Sequence, residues 1–223
     1  MYLIELSDYT LCAEGSGNGF NNIYFALSKG DACSLQSDSI DDAHVFIKAL
    51  ATIVGSRTGT YRYAGAALDF SDYRKLLPFK KKIGYIGQDS AMVSNRTIRE
   101  NLLLMRSYFN NSLALTLDDN VTRLCNVFNL QDKLDDRPGD LQPVELRMAI
   151  AIRELTKSFD VLLLERPEDY FGYNRLDLFS KILEDTLEYG HAVVFFSNDQ
   201  YFTETFSNRK VLIAGSTLTK IPN

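Results

Sequence analysis

Residues 29–44 read Lys29-Gly30-Asp31-Ala32-Cys33-Ser34-Leu35-Gln36-Ser37-Asp38-Ser39-Ile40-Asp41-Asp42-Ala43-His44. The stretch predicts a turn, a short apolar strand over Ala32–Gln36, and then the start of a helix. Beyond it, Phe46, Ile47, Leu50, Ile53 and Val54 recur at helical spacing. Ser39 has the chemistry of an N-cap, and Asp42 three residues on makes a variant capping box. Upstream, two alternating segments, Tyr2–Leu6 and Ile23–Leu27, flank a Gly/Asn-rich turn at Gly15–Asn22, a hairpin pattern. Downstream, Thr60–Tyr63 and Ile83–Ile86 read as short strands.

The middle third is helical. Thr97 with Glu100 predicts a capped helix over Ile98–Phe109, and Thr116 with Asp119 another over Leu117–Leu130. A third, over Val144–Lys157, is apolar on most faces and is expected to be buried. In the last third, Asp160–Leu164 and Ala192–Phe196 are continuous apolar runs suited to strands covered on both faces of a parallel sheet. Leu176–Tyr189 is the helix between them, and Lys210–Ala214 the final strand. The order implies one α/β unit over residues 1–223, with an α/β core (1–87 and 157–223) and an inserted helical lobe (88–156).

The 223 residues are 45% hydrophobic and 24% charged, ordinary for a globular chain able to bury a large core. A net charge of −5 disfavours nucleic acid or an anionic lipid surface as a partner. Cys12, Cys33 and Cys125 are far apart and fit neither a zinc pattern nor a disulfide framework, so a reducing, cytoplasmic setting is expected. No apolar run approaches the ~20 residues of a membrane span.

These landmarks, in this order, resemble the nucleotide-binding domain of ABC transporters. Ile83–Asp89 (Ile-Gly-Tyr-Ile-Gly-Gln-Asp) resembles the strand entering the Q-loop, and Arg147–Ala151 the helix after the signature. Asp160–Pro167 resembles the Walker B strand, and Val193–Asp199 the strand into the switch-histidine loop. The resemblance implies a P-loop NTPase-like fold: a mostly parallel sheet core, an N-terminal antiparallel β subdomain and a helical lobe. It also implies ATP and Mg²⁺ as the family's cofactors, a second ATPase subunit and a transmembrane subunit as partners, and a peripheral place at the inner membrane face.

The chain departs from the family wherever chemistry is done. The phosphate loop GxxxxGK[ST] aligns with Ser37–His44. The glycines become Ser37 and Asp42, the lysine Ala43 and the hydroxyl residue His44, with Asp38 and Asp41 between. Two unit charges ~4 Å apart repel by ~4 kcal/mol at an effective dielectric near 20, so these acids oppose a triphosphate. The expected alternative is a helix start capped by the chain's own side chains. Walker B ends in Glu165, an acid, followed by Arg166, which cannot act as a base. The signature becomes Leu141, Gln142 and Pro143, and the switch histidine becomes Asn198. Gln88 is retained and is the expected partner contact. Arg166 is expected to pair with Asp41 or Asp42. His44 beside these acids leaves a metal site open as a reading.

The implied function is that of a catalytically inactive ABC-type subunit, a pseudo-ATPase with no catalytic residue and no cofactor, serving as a cytoplasmic scaffold or regulatory partner. Because the family builds each ATP site from one subunit's phosphate loop and another's signature, loss of both favours a static pairing, such as a homodimer, or a monomer. Two alternatives stand beside it: an ATPase with divergent motifs, and a module reusing the old pocket for a cationic ligand or metal.

Overall fold

A computed structural model describes residues 1–111 and 116–221. Residues 112–115, inside the segment expected to form the helical lobe, lie outside the described residues. Strands β1 (Ile4–Leu11), β2 (Phe20–Leu27), β4 (Thr58–Tyr63) and β5 (Ala66–Ala67) form an antiparallel sheet in the order β2-β1-β4-β5. Strands β3 (Ala32–Ser37), β6 (Ile83–Ile86), β7 (Val161–Glu165), β8 (Ala192–Phe196), β9 (Arg209–Ala214) and β10 (Thr217–Ile221) form the second sheet, in the order β10-β9-β3-β8-β7-β6. That sheet is parallel from β9 to β6, with β10 added antiparallel as a hairpin.

Helix α1 (Ile40–Leu50) lies between the two sheets. Phe46 packs edge-on against Phe25 and beside Phe20 of the hairpin, while Ala43, Ile47 and Leu50 join the same core as Leu35, Leu163 and Val194. The sequence face extended to Ile53 and Val54, but the helix ends at Leu50 and Ile53 is exposed. The opposite face of the parallel sheet carries Leu162, Leu164, Val193 and Phe195. It is covered by the second core, which includes α3 (Ile98–Asn110), α4 (Asp119–Val127), α5 (Pro143–Leu155) and α7 (Tyr173–Glu188). Alternate residues of β7 thus serve two cores, which is why Val161–Glu165 is buried throughout.

The Thr97–Glu100 capping box forms as expected. The Thr116 cap does not: Asp118, one residue before α4, accepts from Val121 N–H and starts the helix later. Helices α2 (Tyr73–Lys80), α6 (Pro167–Phe171) and α8 (Gln200–Phe206) were not expected. No helix among the described residues is long and apolar enough to cross a membrane.

Cys33 and Cys125 are buried, and Cys12 is exposed. Burial pushes the Cys33 thiol up to about 12 and the Cys125 thiol up to about 11. A raised thiol pKa means the folded state keeps its proton where the unfolded state loses it. This contribution to stability is therefore complete below the ordinary value of about 8.5 and is lost as pH rises toward 11–12. A thiol-exchange titration at pH 8 should count one reactive cysteine in the native protein and three in denaturant.

Candidate functional site

The carboxyl ends of β3, β6, β7 and β8 open onto one cavity, the usual place for a ligand in an open α/β sheet. It has a volume of about 300 Å³, and its walls include Ile40, His44, Gln88, Arg147, Glu165 and Tyr170. Between β3 and α1 stand only Asp38 and Ser39. Ser39 caps the helix by accepting from Asp42 N–H, and its own N–H donates to Ser37 Oγ. Ala43, aligned with the family's phosphate-binding lysine, is sealed in the core at 0% exposure.

The acids of the first turn of α1 face away from the cavity. Asp41 accepts from the N–H (2.7 Å) and hydroxyl (2.8 Å) of Ser16, which hold its carboxyl below the ordinary range. Asp42, 2% exposed, accepts from Asn18 N–H at 2.8 Å, Gly19 N–H at 2.9 Å and the Asn18 side-chain amide at 3.2 Å. The Gly15–Asn22 turn therefore wraps the chain's own carboxylates. Its glycines are there for close approach: a Cβ on Gly15 would lie 2.5 Å from Asp41 Oδ2, and one on Gly17 2.5 Å from Asp42 Oδ1. Asp42 does not reach back to Ser39 to complete the expected capping box; the glycine turn claims it first. Asp38 is exposed.

His44 and Glu165 meet directly, with Nδ1 and Oε1 2.6 Å apart. Glu165, 8% exposed at the end of β7, also accepts from Tyr85 O–H at 2.9 Å and Gln88 N–H at 3.1 Å. Burial, followed by the adjacent Glu165 charge, pushes the Tyr85 phenol far up, so it remains a donor. Gly87 must lack a side chain here, because a Cβ would lie 2.2 Å from Glu165 Oε2. His44 Nε2 lies 3.2 Å from Asp89 Oδ2. One helical turn on, Lys48 bridges Asp89 (3.1 Å) and Glu14 (2.8 Å). Burial alone would push the Lys48 amine down; the bonds to Glu14 and Asp89 outweigh it and leave the amine above its ordinary value. The network runs Glu14, Lys48, Asp89, His44, Glu165, Tyr85.

Arg166 does not pair with Asp41 or Asp42. Its backbone is left-handed (φ 46°, ψ 61°), its N–H donates to Phe196 C=O, and its guanidinium pairs with Asp169 at 2.5 Å. The turn directs it along α6, while Asp41 and Asp42 point toward the hairpin. Leu141 is buried, Gln142 precedes α5, and Pro143 is its first residue; Glu145 accepts from Gln142 N–H. Asn198 is exposed, and its N–H donates to Glu168. The structure thus joins His44, Glu165 and the Gln88 backbone, and separates Asp41 and Asp42 from Arg166. His44 gathers Glu165 and Asp89, not Asp41 and Asp42. Among the described residues no group of three or more His, Cys, Asp or Glu is placed to hold a metal ion. Sequence reasoning missed Tyr85, Asp89 and Lys48. The i,i+4 spacing of His44 and Lys48 was the available signal.

The antiparallel sheet against α1, the mostly parallel sheet and the helices on its far face define the architecture of an ATP-binding cassette. The chain has the fold of an ABC-transporter nucleotide-binding domain, and solved structures of that kind superpose on it almost end to end. The dimeric, post-hydrolysis structure of the ATP-binding cassette MJ0796 bound to ADP and Pi matches with a TM-score of 0.82 at 14% identity, over 99% of both chains. CbiO1 from Clostridium perfringens, described as part of the ABC transporter complex CbiONQ, matches with a TM-score of 0.70 at 13% identity, over 98% of this chain and 87% of that one. In sequence, the xylose import ATP-binding protein XylG of Escherichia coli strain K12 is 26% identical over 204 residues, covering 88% of this chain. The chain spans 39% of the length of that relative. No protein-family model matches the chain.

Proposed function

We propose that this protein is a catalytically inactive relative of ABC ATP-binding subunits, acting through protein contacts as a scaffold or regulatory partner of a transporter-like complex at the cytoplasmic face of a membrane. Fold alone does not carry activity. The observation that supports inactivity is the direct His44–Glu165 contact at 2.6 Å. In the family these two positions hold Mg²⁺ between them. Two ligands of one octahedral Mg²⁺, each about 2.1 Å from it, stand about 3 Å or more apart. Here the two groups are bonded to each other, and imidazole is a poor ligand for so hard a cation.

The surroundings agree. A two-residue link between β3 and α1 offers no loop to wrap a triphosphate, Ala43 supplies no charge, and the hairpin turn binds Asp41 and Asp42 instead of a ligand. ATP and Mg²⁺ do not fit these residues, and no step through them is derived. The relatives supply the kind of partner: CbiO1 is part of a transporter complex and the MJ0796 cassette is dimeric. Gln88, exposed at the cavity mouth, is the proposed contact with such a partner, and residues 88–156 the proposed helical lobe that carries it. The test combines two assays on the full chain. Phosphate release from Mg·ATP should not exceed the rate without protein, and affinity capture from its native cell should return a membrane subunit or an ABC ATPase. Turnover abolished by Glu165→Ala would contradict the reading, as would capture of neither partner.

A further inference from the structure

The polar groups around Asp169, at the end of the cavity opposite His44, carry no role in the network above. Tyr170 is 7% exposed, and its hydroxyl is buried without a hydrogen-bond partner; the same holds for Arg166 Nε. Arg147 donates only to carbonyls, those of Asp169 at 2.7 Å and Pro143 at 3.4 Å, and meets no carboxylate among the described residues. Buried donors without acceptors are rare in folded chains, and each calls for a missing partner. The carboxylates nearby are already engaged: Asp169 by Arg166, and Glu165 by three donors. The rest of the wall here is apolar, with Ile40, Leu146, Ile150 and Phe196. A cavity of about 300 Å³ is at the small end of ligand pockets, which combine apolar walls with a few placed polar groups.

We infer that this cavity binds a small organic anion, an apolar body bearing one carboxylate or phosphate, with its oxygens between Tyr170, Arg166 and Arg147. All three groups present donors or positive charge, so the complementary ligand is an acceptor. The inference stands apart from the loss of ATPase activity, because it uses none of the residues of the phosphate loop.

The probes are benzoate and phenyl phosphate, with benzamide and benzamidine as neutral and cationic controls of the same shape. Titration by NMR should give saturable shifts for one or both anions and none for either control. Tyr170→Phe, which keeps the ring and removes the hydroxyl, should weaken anion binding by about tenfold or more. A crystal soaked with 4-bromobenzoate reads the same question without a variant and should place bromine between Ile150 and Phe196. Saturation by benzoate but not phenyl phosphate would identify a carboxylate ligand, and the reverse a phosphate ligand. Failure of both anions, equal binding of benzamidine, unchanged affinity in Tyr170→Phe, or bromine elsewhere would each overturn the proposal.

Discussion

Replacing Glu165 with alanine should destabilise the fold by about 3–5 kcal/mol, a drop in Tm of roughly 10 °C for a chain of this size. The carboxylate satisfies Tyr85 O–H, Gln88 N–H and His44 Nδ1, all at a site with little access to water. Its removal leaves buried donors unpaired, at about 1–3 kcal/mol each where solvent cannot enter. Glu165→Gln keeps an acceptor for Tyr85 and Gln88 and should cost less. The direction separates two accounts. A carboxylate kept for catalysis or metal binding is often held at some cost in stability, and its removal is then neutral or stabilising. A chemical denaturation curve for Glu165→Ala that overlays the wild type would show that the His44–Glu165 pair does not hold the site closed.

The second large effect belongs to Asp42. Asp42→Ala should cost about 2–4 kcal/mol, because it strips three hydrogen bonds from a buried carboxylate and leaves the Asn18 and Gly19 N–H groups unanswered. The loss should be local as well as global: amide exchange at Asn18 and Gly19 should rise far more than at Leu163 or Val194. Asp41→Ala should do less, since water reaches Ser16 and can replace the lost acceptor. In a domain that bound phosphate at the start of α1, removing acids there would relieve repulsion. Stabilisation by Asp42→Ala would therefore count against the account.

These two residues also show how far the sequence could be read. Ile83–Ile86 and Ala192–Phe196 were legible to the residue because an uninterrupted apolar run has few other places to go in an α/β fold. Thr97 was legible because cap and capping glutamate sit three residues apart. The same spacing misled at Thr116, where Asp118 offers a competing carboxylate cap closer to the helix. Helix α2 escaped notice because it is polar, buries only Leu76 and contains Pro78.

At the site, the substitutions were legible but the pairings were not. Asp42 is held by a turn 23 to 24 residues upstream, which sequence marked only as glycine-rich. Arg166 was expected to face the acids of α1, but its left-handed backbone directs it to Asp169 three residues on. His44 finds Glu165 across 121 residues of sequence, a contact visible only once β7 ends beside α1.

The central claim is that the chain's own side chains close the site against nucleotide. Isothermal titration of the full-length protein with Mg·ATP, alongside a thermal melt at the same concentrations, tests it most directly. A nucleotide at 100 times its Kd would add about 2.7 kcal/mol of stability. No saturable heat and no rise in Tm up to millimolar Mg·ATP is the predicted result. Saturable binding with a rise in Tm, altered by substitution of His44, would contradict it.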